Sequence, residues 1–415
     1  METQRKLIGL LLSLEEDWPH TFEALSRRMG KVSYGGKTFE IQTERVHIHP
    51  FSLRDPVRHD VVIDRLAWWH PNPREWLKKA ALMNDVYLLN NPFSFQSMEK
   101  HSAYCAMIRL GLNVPETVLV PQKVGPDNER YQRTAQKYHD LFDLPTIAAE
   151  VGYPLFMKPF DGGGWRGVSK IDDEAALIHA YDVSGQTMMH LQHGLVDYEV
   201  FVRSLGVGPQ VISLSYDPGQ PMHARYSVAH DFLTPEQGRE AVTVTKIINA
   251  FFRWDFNSCE SILKNGILSP MDFANACPDI ALTSLHYYFP WAIKSLYAWS
   301  VFCAVTERPM YVTMNIKPYF DIADSDRSYE EKLTAYERLA DEHFETERFA
   351  EFRATVLQDL DEAMWDLVGS DEFKGIIGGA VADTFPEHER EQFNAHYQGL
   401  LEHWRSAEAD RMQTS

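Results

Sequence analysis

Apolar and polar residues follow two rhythms along this chain, and the change between them divides it. Over the first 90 positions short apolar runs take turns with helical stretches. Leu7 to Leu12 reads as a strand, T-F-E-A-L-S-R-R-M as a helix, Val46 to Ile48 as part of a second strand, and D-V-V-I-D-R-L-A-W (60–68) as a third. P-R-E-W-L-K-K-A-A-L-M is a helix and D-V-Y-L-L-N (85–90) a fourth strand. Such alternation predicts a small open α/β sheet. Ligands in open α/β sheets gather at strand ends, which singles out Ser13, Asp64 and Arg65. The alternative is that Asp64 and Arg65 simply pair at the surface.

Further along, residues 121–148 are polar with a helical tail and read as an exposed connection. Residues 234–254 predict an amphipathic helix with Val242, Val244, Ile247, Ile248, Phe251 and Phe252 on its buried side. After residue 325 charge rises and apolar residues recur at helical spacing: Leu333, Tyr336, Leu339, Phe349, Phe352, Val356, Leu360 and Met364, then Phe393, Tyr397, Leu400 and Trp404. This tail reads as an added helical layer. Its stripe packs against the same chain or against a second subunit, with a substrate lid as the remaining alternative, so homo-oligomer formation through these helices stays open.

Between the two rhythms lies V-G-Y-P-L-F-M-K-P-F-D-G-G-G-W-R-G-V-S-K, residues 151–170. A short apolar run ends in Lys158, and a loop with Gly162, Gly163, Gly164 and Gly167 follows. The run predicts a buried strand. Glycines let backbone N–H groups close on an anion without Cβ interference, and the lysine adds a fixed charge. Together they suit a polyphosphate. The spacing is neither that of the Walker P-loop nor that of the Rossmann fingerprint. A glycine-rich hairpin with a solvated lysine is the plainer reading of this segment alone.

Composition narrows the function classes. The chain has 415 residues, enough for two or three domains, with 44% hydrophobic and 12% aromatic residues to fill their cores. No apolar run approaches the roughly 18 residues of a membrane span. The first residues read as a strand, not a signal peptide. Cys105, Cys259, Cys277 and Cys303 lack C-x-x-C spacing, which argues against a zinc site and fits a reducing cytoplasm. A formal charge of −19 speaks against a nucleic-acid partner.

Five segments in order resemble the ATP-grasp superfamily, in particular its carboxylate–amine ligases such as the D-alanine–D-alanine ligase and glutathione synthetase families. N-N-P-F-S-F-Q-S-M-E-K-H-S-A-Y-C-A-M-I-R-L-G-L-N-V-P-E-T (90–117) is similar to the opening segment, with Lys100 ahead of Gly111 and Pro115. The Lys158–glycine loop is the second. H-L-Q-H-G-L-V-D-Y-E-V-F-V-R-S-L-G (190–206) resembles the hinge strand. There the resemblance implies adenine contacts around Gln192, His193 and Leu195, and ribose contacts at Glu199. H-A-R-Y supplies Arg225 as a phosphate cation. C-E-S-I-L-K-N-G-I-L-S-P-M-D-F-A-N supplies Glu260, Asp272 and Asn275 as metal ligands around the turn glycine Gly266.

The likeness covers residues 85–320 and departs in one place. The family's E-x-N becomes Asp272-Phe-Ala-Asn275, one residue longer, which needs a bulge or removes Asn275 from the ligand set. Asp255 competes with Glu260 for the first metal position. Glu260 is preferred on its spacing to Gly266 and Asp272, leaving Asp255 as a hydrogen-bonded structural acid.

The resemblance implies an α/β fold of the α+β ATP-grasp type. Its parts are a small open α/β N-terminal domain (1–92), a two-lobed ATP-grasp domain (93–325) and a C-terminal helical extension (326–415). It also implies ATP with Mg²⁺ or Mn²⁺ as cofactors, and small-molecule carboxylate and amine substrates joined through an acylphosphate. Lys158, Arg225 and Arg166 are the implied catalytic cations. Arg166 could instead sit in solvent while Trp165 anchors the loop. Ser284, His286 and Tyr287 fall where the family touches its acceptor, though His286 among aromatics also suits a structural role. A kinase, or a nucleotide-binding protein without turnover, are the other functions this architecture accommodates.

Overall fold

The computed structural model describes residues 3–94, 100–138, 142–161 and 166–414. The chain is mixed α/β. It begins with β1 (Thr3–Leu11), α1 (Asp17–Met29), β2 (Lys31–Tyr34), β3 (Lys37–Arg45), β4 (Val61–Asp64), α2 (Pro71–Asn84) and β5 (Tyr87–Leu89). There follow α3 (Lys100–Arg109), β6 (Thr117–Val120), α4 (Glu129–Tyr138), α5 (Leu144–Val151), β7 (Leu155–Pro159), β8 (Ser169–Ile171), α6 (Glu174–Ser184) and β9 (Met189–His193). Next come β10 (Val200–Val207), β11 (Gln210–Tyr216), β12 (Tyr226–Ser227), α7 (Pro235–Phe252), β13 (Phe256–Lys264) and β14 (Ile267–Asn275). The chain closes with α8 (Leu282–Leu285), α9 (Phe289–Val305), α10 (Lys317–Ala323), α11 (Tyr329–Phe344), α12 (Thr346–Val356), α13 (Leu360–Val368), α14 (Asp371–Thr384) and α15 (Arg390–Thr414).

Two compact units emerge. The first is Met1–Phe95 with Arg203–Ser258 and Ala276–Ser415, and the second is Gln96–Val202 with Cys259–Asn275.

In the first unit a sheet of order β2-β3-β1-β4-β5 forms from the N-terminal strands. β1 pairs in parallel with β3 and β4, and β4 with β5. Strands covered on both faces need continuous apolar runs, which Leu7–Leu11, Val61–Ile63 and Tyr87–Leu89 supply. The second strand is not where the sequence placed it. β3 ends at Arg45, and Val46 to Ile48 lie in the loop beyond. Its partner β2 joins it through Gly35-Gly36, both at positive φ, as a two-residue hairpin requires. Elsewhere in this unit β12, β11, β10 and the start of β13 lie side by side in that order.

The first unit's centre is α9. Its residues from Phe289 to Val305 are buried except Trp291, the pattern of a helix enclosed on all sides. α1, α12 and α13 pack on it. The C-terminal stripe is thus spent within the chain: Leu333, Tyr336, Phe349, Phe352, Leu360, Met364, Tyr397 and Trp404 are buried. α7 begins on a capping box made by Thr234 and Gln237 and packs on α11, where Lys246 pairs with Glu337 at 3.2 Å and Asp341 at 2.9 Å.

In the second unit the sheet order is β6-β9-β7-β8, all antiparallel. Alternation along β7 and β9 sends Leu155, Met157, Met189 and Leu191 into one apolar core with α5 and α6. The opposite face receives Phe156, Lys158, His190 and Gln192. Also in this unit are α3, α4, the start of β10 and the continuation of β13 beside β14. Tyr104 ties α3 to β14 by donating to Met271 O at 2.8 Å and meeting Phe273 edge-on.

Candidate functional site

The polar face of the second unit's sheet is built by register. Lys158 on β7 lies directly opposite His190 on β9 and diagonal to Gln192. Residues opposite each other in an antiparallel pair share a face, so all three project together. Lys158 Nζ donates to Gln192 Oε1 at 2.6 Å. Gln192 Nε2 donates to Thr117 Oγ1 at 2.9 Å, and the Thr117 hydroxyl donates to Pro115 O at 2.7 Å. Lys158 makes no ion pair among the described residues. Burial drives its ammonium down to about 8, although Asp272 and Glu260 oppose the shift; Lys100 adds to it.

Lys100, at the start of α3, is buried and pairs with Asp272 Oδ2 at 3.1 Å. Its backbone N–H donates to Phe160 O just beyond β7, so the lysine is pinned at both ends. Glu260 on β13 and Asp272 on β14 are half-buried. The second unit therefore holds two lysines and two carboxylates near enough to act on one another's charge. Their oxygen donors, with the Asn275 amide, are the hard ligands Mg²⁺ accepts. Among the described residues no three His, Cys, Asp or Glu side chains form a closed metal cage. Two carboxylates and an amide suit an ion that keeps waters and phosphate oxygens. Asn275 ends β14 three residues from Asp272. Regular pleating sends residues three apart to opposite faces, so both meet one ion only across a bulge.

The other residues singled out from sequence fall as follows. His193 pairs in register with Leu155 and so faces the apolar side, its Nδ1 near Val151 O and Gly152 O at 3.1 and 3.3 Å. Only its backbone is left for a ligand on the Lys158 face. Leu195 is half-buried in the turn after β9, and Glu199 is exposed. Gly162, Gly163, Gly164 and Trp165 lie outside the described residues. Arg166 is exposed in a turn. Arg225 belongs to the first unit, where its Nε donates to Gln220 O at 3.0 Å.

Asp255, also in the first unit, accepts from Tyr87 Oη and from Trp299 Nε1 at 2.8 Å, a fully enclosed structural acid. His286 uses both ring nitrogens: Nδ1 accepts from Tyr287 N at 2.8 Å and Nε2 donates to Tyr226 O at 3.0 Å. Burial lowers its pKa to about 4, which suits a structural imidazole. Asp64 and Arg65 do not pair at the surface. Asp64 accepts from the Leu66 and Ala67 amides at 2.8 and 2.9 Å, and Arg65 reaches Glu15 and Pro278 O.

Comparison with known proteins adds the following. No family profile matches the chain, and no curated protein does. Among solved structures it is similar to a RimK domain ATP-grasp protein from Sphaerobacter thermophilus, at 14% identity and a TM-score of 0.48, covering 71% of this chain and 99% of that one. It is similar to the D-alanine–D-alanine ligase of Bacillus anthracis complexed with ATP, at 14% identity and 0.47, covering 73% and 97%. The macrocyclase MdnC of Microcystis aeruginosa, bound with precursor peptide MdnA, matches at 12% identity and 0.45, covering 72% and 99%.

Sequence motifs missed two groups on the lysine face. Thr117 and its hydrogen bond to Gln192 carry no motif. His190 stands against His101 of α3 with Nε2 and Nδ1 3.2 Å apart and rings nearly parallel. Burial, with the charges of His101, Lys158 and Lys100, lowers His190 to about 4. Strand parity was the one available signal: His190 and Gln192 stand two apart, so one face carries both.

Proposed function

We propose that this chain is an ATP-grasp enzyme, a ligase that joins a carboxylate to an amine at the expense of ATP. The observation that carries the reading is the gathering of Lys158, Lys100, Glu260 and Asp272 in one unit. Those are the positions that the five ordered motifs reserve for phosphates and metal.

Phosphoryl transfer depends on positioning and charge more than on covalent help from the protein. Lys158 offers its remaining N–H groups to phosphate oxygens, and Lys100 adds a second charge. Arg166 is assigned as a further cation on the transferring group, and Arg225, in the first unit, by the motif order alone. The backbone from Gln192 to Leu195 meets adenine and Glu199 takes the ribose hydroxyls, while the glycines at 162–164, outside the described residues, are assigned to the phosphates by the motif alone. Glu260, Asp272 and Asn275 would hold Mg²⁺ or Mn²⁺, which when bound neutralises phosphate charge enough for an anionic carboxylate to approach. The substrate carboxylate oxygen bonds to the γ-phosphorus as the bond to the β–γ bridging oxygen breaks and ADP departs. The amine nitrogen then attacks the acyl carbon of the acylphosphate, and inorganic phosphate leaves.

The longer Asp272-to-Asn275 spacing favours, as a second reading, nucleotide binding without turnover. One experiment separates the possibilities. The protein is incubated with ATP and Mg²⁺ against pools of amino acids and small carboxylates, with ADP release and product mass followed together. The ligase gives acceptor-dependent ADP and a product lighter by one water than its two substrates. A stable phosphorylated product makes it a kinase. ATP binding with no ADP under any acceptor sinks the enzyme reading for the substrates tested. Glu260→Gln and Asp272→Asn should each abolish ADP release, and activity surviving both would overturn the metal assignment.

A further inference from the structure

Gln192 sits where the hinge resemblance implies adenine recognition, yet its side chain is already committed on both sides. The direction of each bond follows from Thr117. A hydroxyl has one hydrogen, and Pro115 O, 2.7 Å away, can only accept it. The Thr117 oxygen therefore turns its lone pairs to Gln192, so the amide presents its NH₂ end to Thr117 and its carbonyl end to Lys158. A flipped amide would set NH₂ against an ammonium and C=O against lone pairs. The chain Pro115 O, Thr117 hydroxyl, Gln192 amide, Lys158 ammonium thus has one consistent arrangement, with heavy-atom distances of 2.7, 2.9 and 2.6 Å. Gln192 is 0% and Lys158 8% exposed, so water does not substitute for either bond.

We propose that Thr117 and Gln192 are positioning residues that hold the Lys158 ammonium on an uncharged acceptor and out of a direct ion pair, leaving its other N–H groups for a polyphosphate. The proposal rests on the reading of Lys158 as a phosphate-holding cation and deepens it. A carboxylate in place of the amide would spend that charge inside the protein, because an ion pair at this depth is strong and lasting. The neighbour on the other side of Lys158, His190, is neutral as well. The groups that fix the lysine in place are thus uncharged, with Asp272 and Glu260 acting on it only from beyond direct pairing, and Gln192 contributes to phosphate affinity, not to recognition of the base.

Two probes separate the roles: ATP, and inorganic triphosphate, which has the phosphates and no adenine. Affinities of the full chain are measured for both by calorimetry, in wild type, Gln192→Leu, Thr117→Val and Thr117→Ser. Loss of a hydrogen bond to a charged group corresponds to roughly a tenfold loss in affinity. Gln192→Leu should weaken ATP and triphosphate alike by about that factor. Thr117→Val should weaken both in the same proportion, and Thr117→Ser, which keeps the hydroxyl, should restore them. Hydrogen exchange of the β7 and β9 amides confirms that each variant keeps its sheet. Should Gln192→Leu weaken ATP and leave triphosphate untouched, Gln192 reads adenine and the proposal falls. Equal affinities in Thr117→Val and wild type would also overturn it. A wild-type protein that binds neither probe removes the phosphate reading of Lys158 itself, a failure distinct from the other two.

Discussion

Replacing Lys158 by methionine should strengthen the ligand-free fold while removing nucleotide binding. The native state lowers the Lys158 ammonium from the ordinary 10.5 to about 8, with burial as the leading cause. At about 1.4 kcal/mol per unit, holding the charge there costs about 3 kcal/mol. Methionine is similar in length and apolar, so it relieves that cost. It also strands Gln192 Oε1 in the interior, a loss of about 1–2 kcal/mol. The net expectation is a gain of about 1–2 kcal/mol at pH 7.

The gain has a pH signature. Below about pH 8 both folded and unfolded chains carry the proton, and the full penalty is present. Between pH 8 and 10.5 the unfolded chain keeps the proton that the folded one has released, so wild-type stability rises with pH. The advantage of Lys158→Met should therefore shrink over that window and end as a deficit. Hydrogen exchange of the β7 and β9 amides reads the stability of the second unit by itself, which a global melting curve of a two-unit chain does not. A Lys158→Met protein less stable than wild type by more than about 1 kcal/mol at pH 7 would refute the reasoning, as would a difference unchanged from pH 7 to 10.

Asp255→Asn and Glu260→Gln should behave oppositely. The first disturbs the acceptor of Tyr87 and Trp299 and should lower stability by about 1–3 kcal/mol with ADP release intact below the melting point. The second should stop ADP release in a protein that still folds. Acid should weaken both units, because His190 and His286 are each held near 4 against an ordinary 6.5. The unfolded chain takes those protons first, so stability is full above about pH 6.5 and falls toward pH 4, by about 2 kcal/mol per histidine at pH 5. His190→Leu and His286→Gln should flatten a melting-temperature series from pH 7.5 to 5, and an unchanged slope would count against the burial argument. Trp299→Ala should cost about 3–5 kcal/mol in chemical denaturation, since the ring fills the centre of the first unit and its Nε1 bonds Asp255.

Strands whose residues are buried on both faces were legible, because an apolar run such as Val61–Ile63 has no other use. β3 was not. Its E-I-Q-T-E-R stretch is half-buried, and polar residues outnumber apolar ones, so the apolar Val46 to Ile48 beyond its end drew the strand too far. Gly35-Gly36 marked the hairpin that would have corrected the register. In the site, Lys100 and Asp272 were found through separate motifs, and the structure pairs them at 3.1 Å. Thr117 could not be found the same way. Its role depends on standing opposite Gln192 across an antiparallel pair, a relation between residues 75 positions apart that no local pattern records. The helical stripe after residue 325 was readable as packing, but its partners α1 and α9 were not, because only tertiary contact names them.

The division of the chain sets an order of events during synthesis. Every residue of the second unit has been synthesised once Asn275 is made, and that unit then has all its strands and its own apolar core as soon as they emerge. The first unit began earlier, with β1, yet it cannot close around α9 until α13 packs on it and α15 brings Glu408 to Lys294. From the completion of α9 until α15 is made, the growing chain carries a helix meant for burial on nearly every side without its final cover. The unit that opens with β1 is thus completed after the one that follows it, and the nascent chain is most exposed to aggregation and most in need of chaperones while α11 to α15 are still being added.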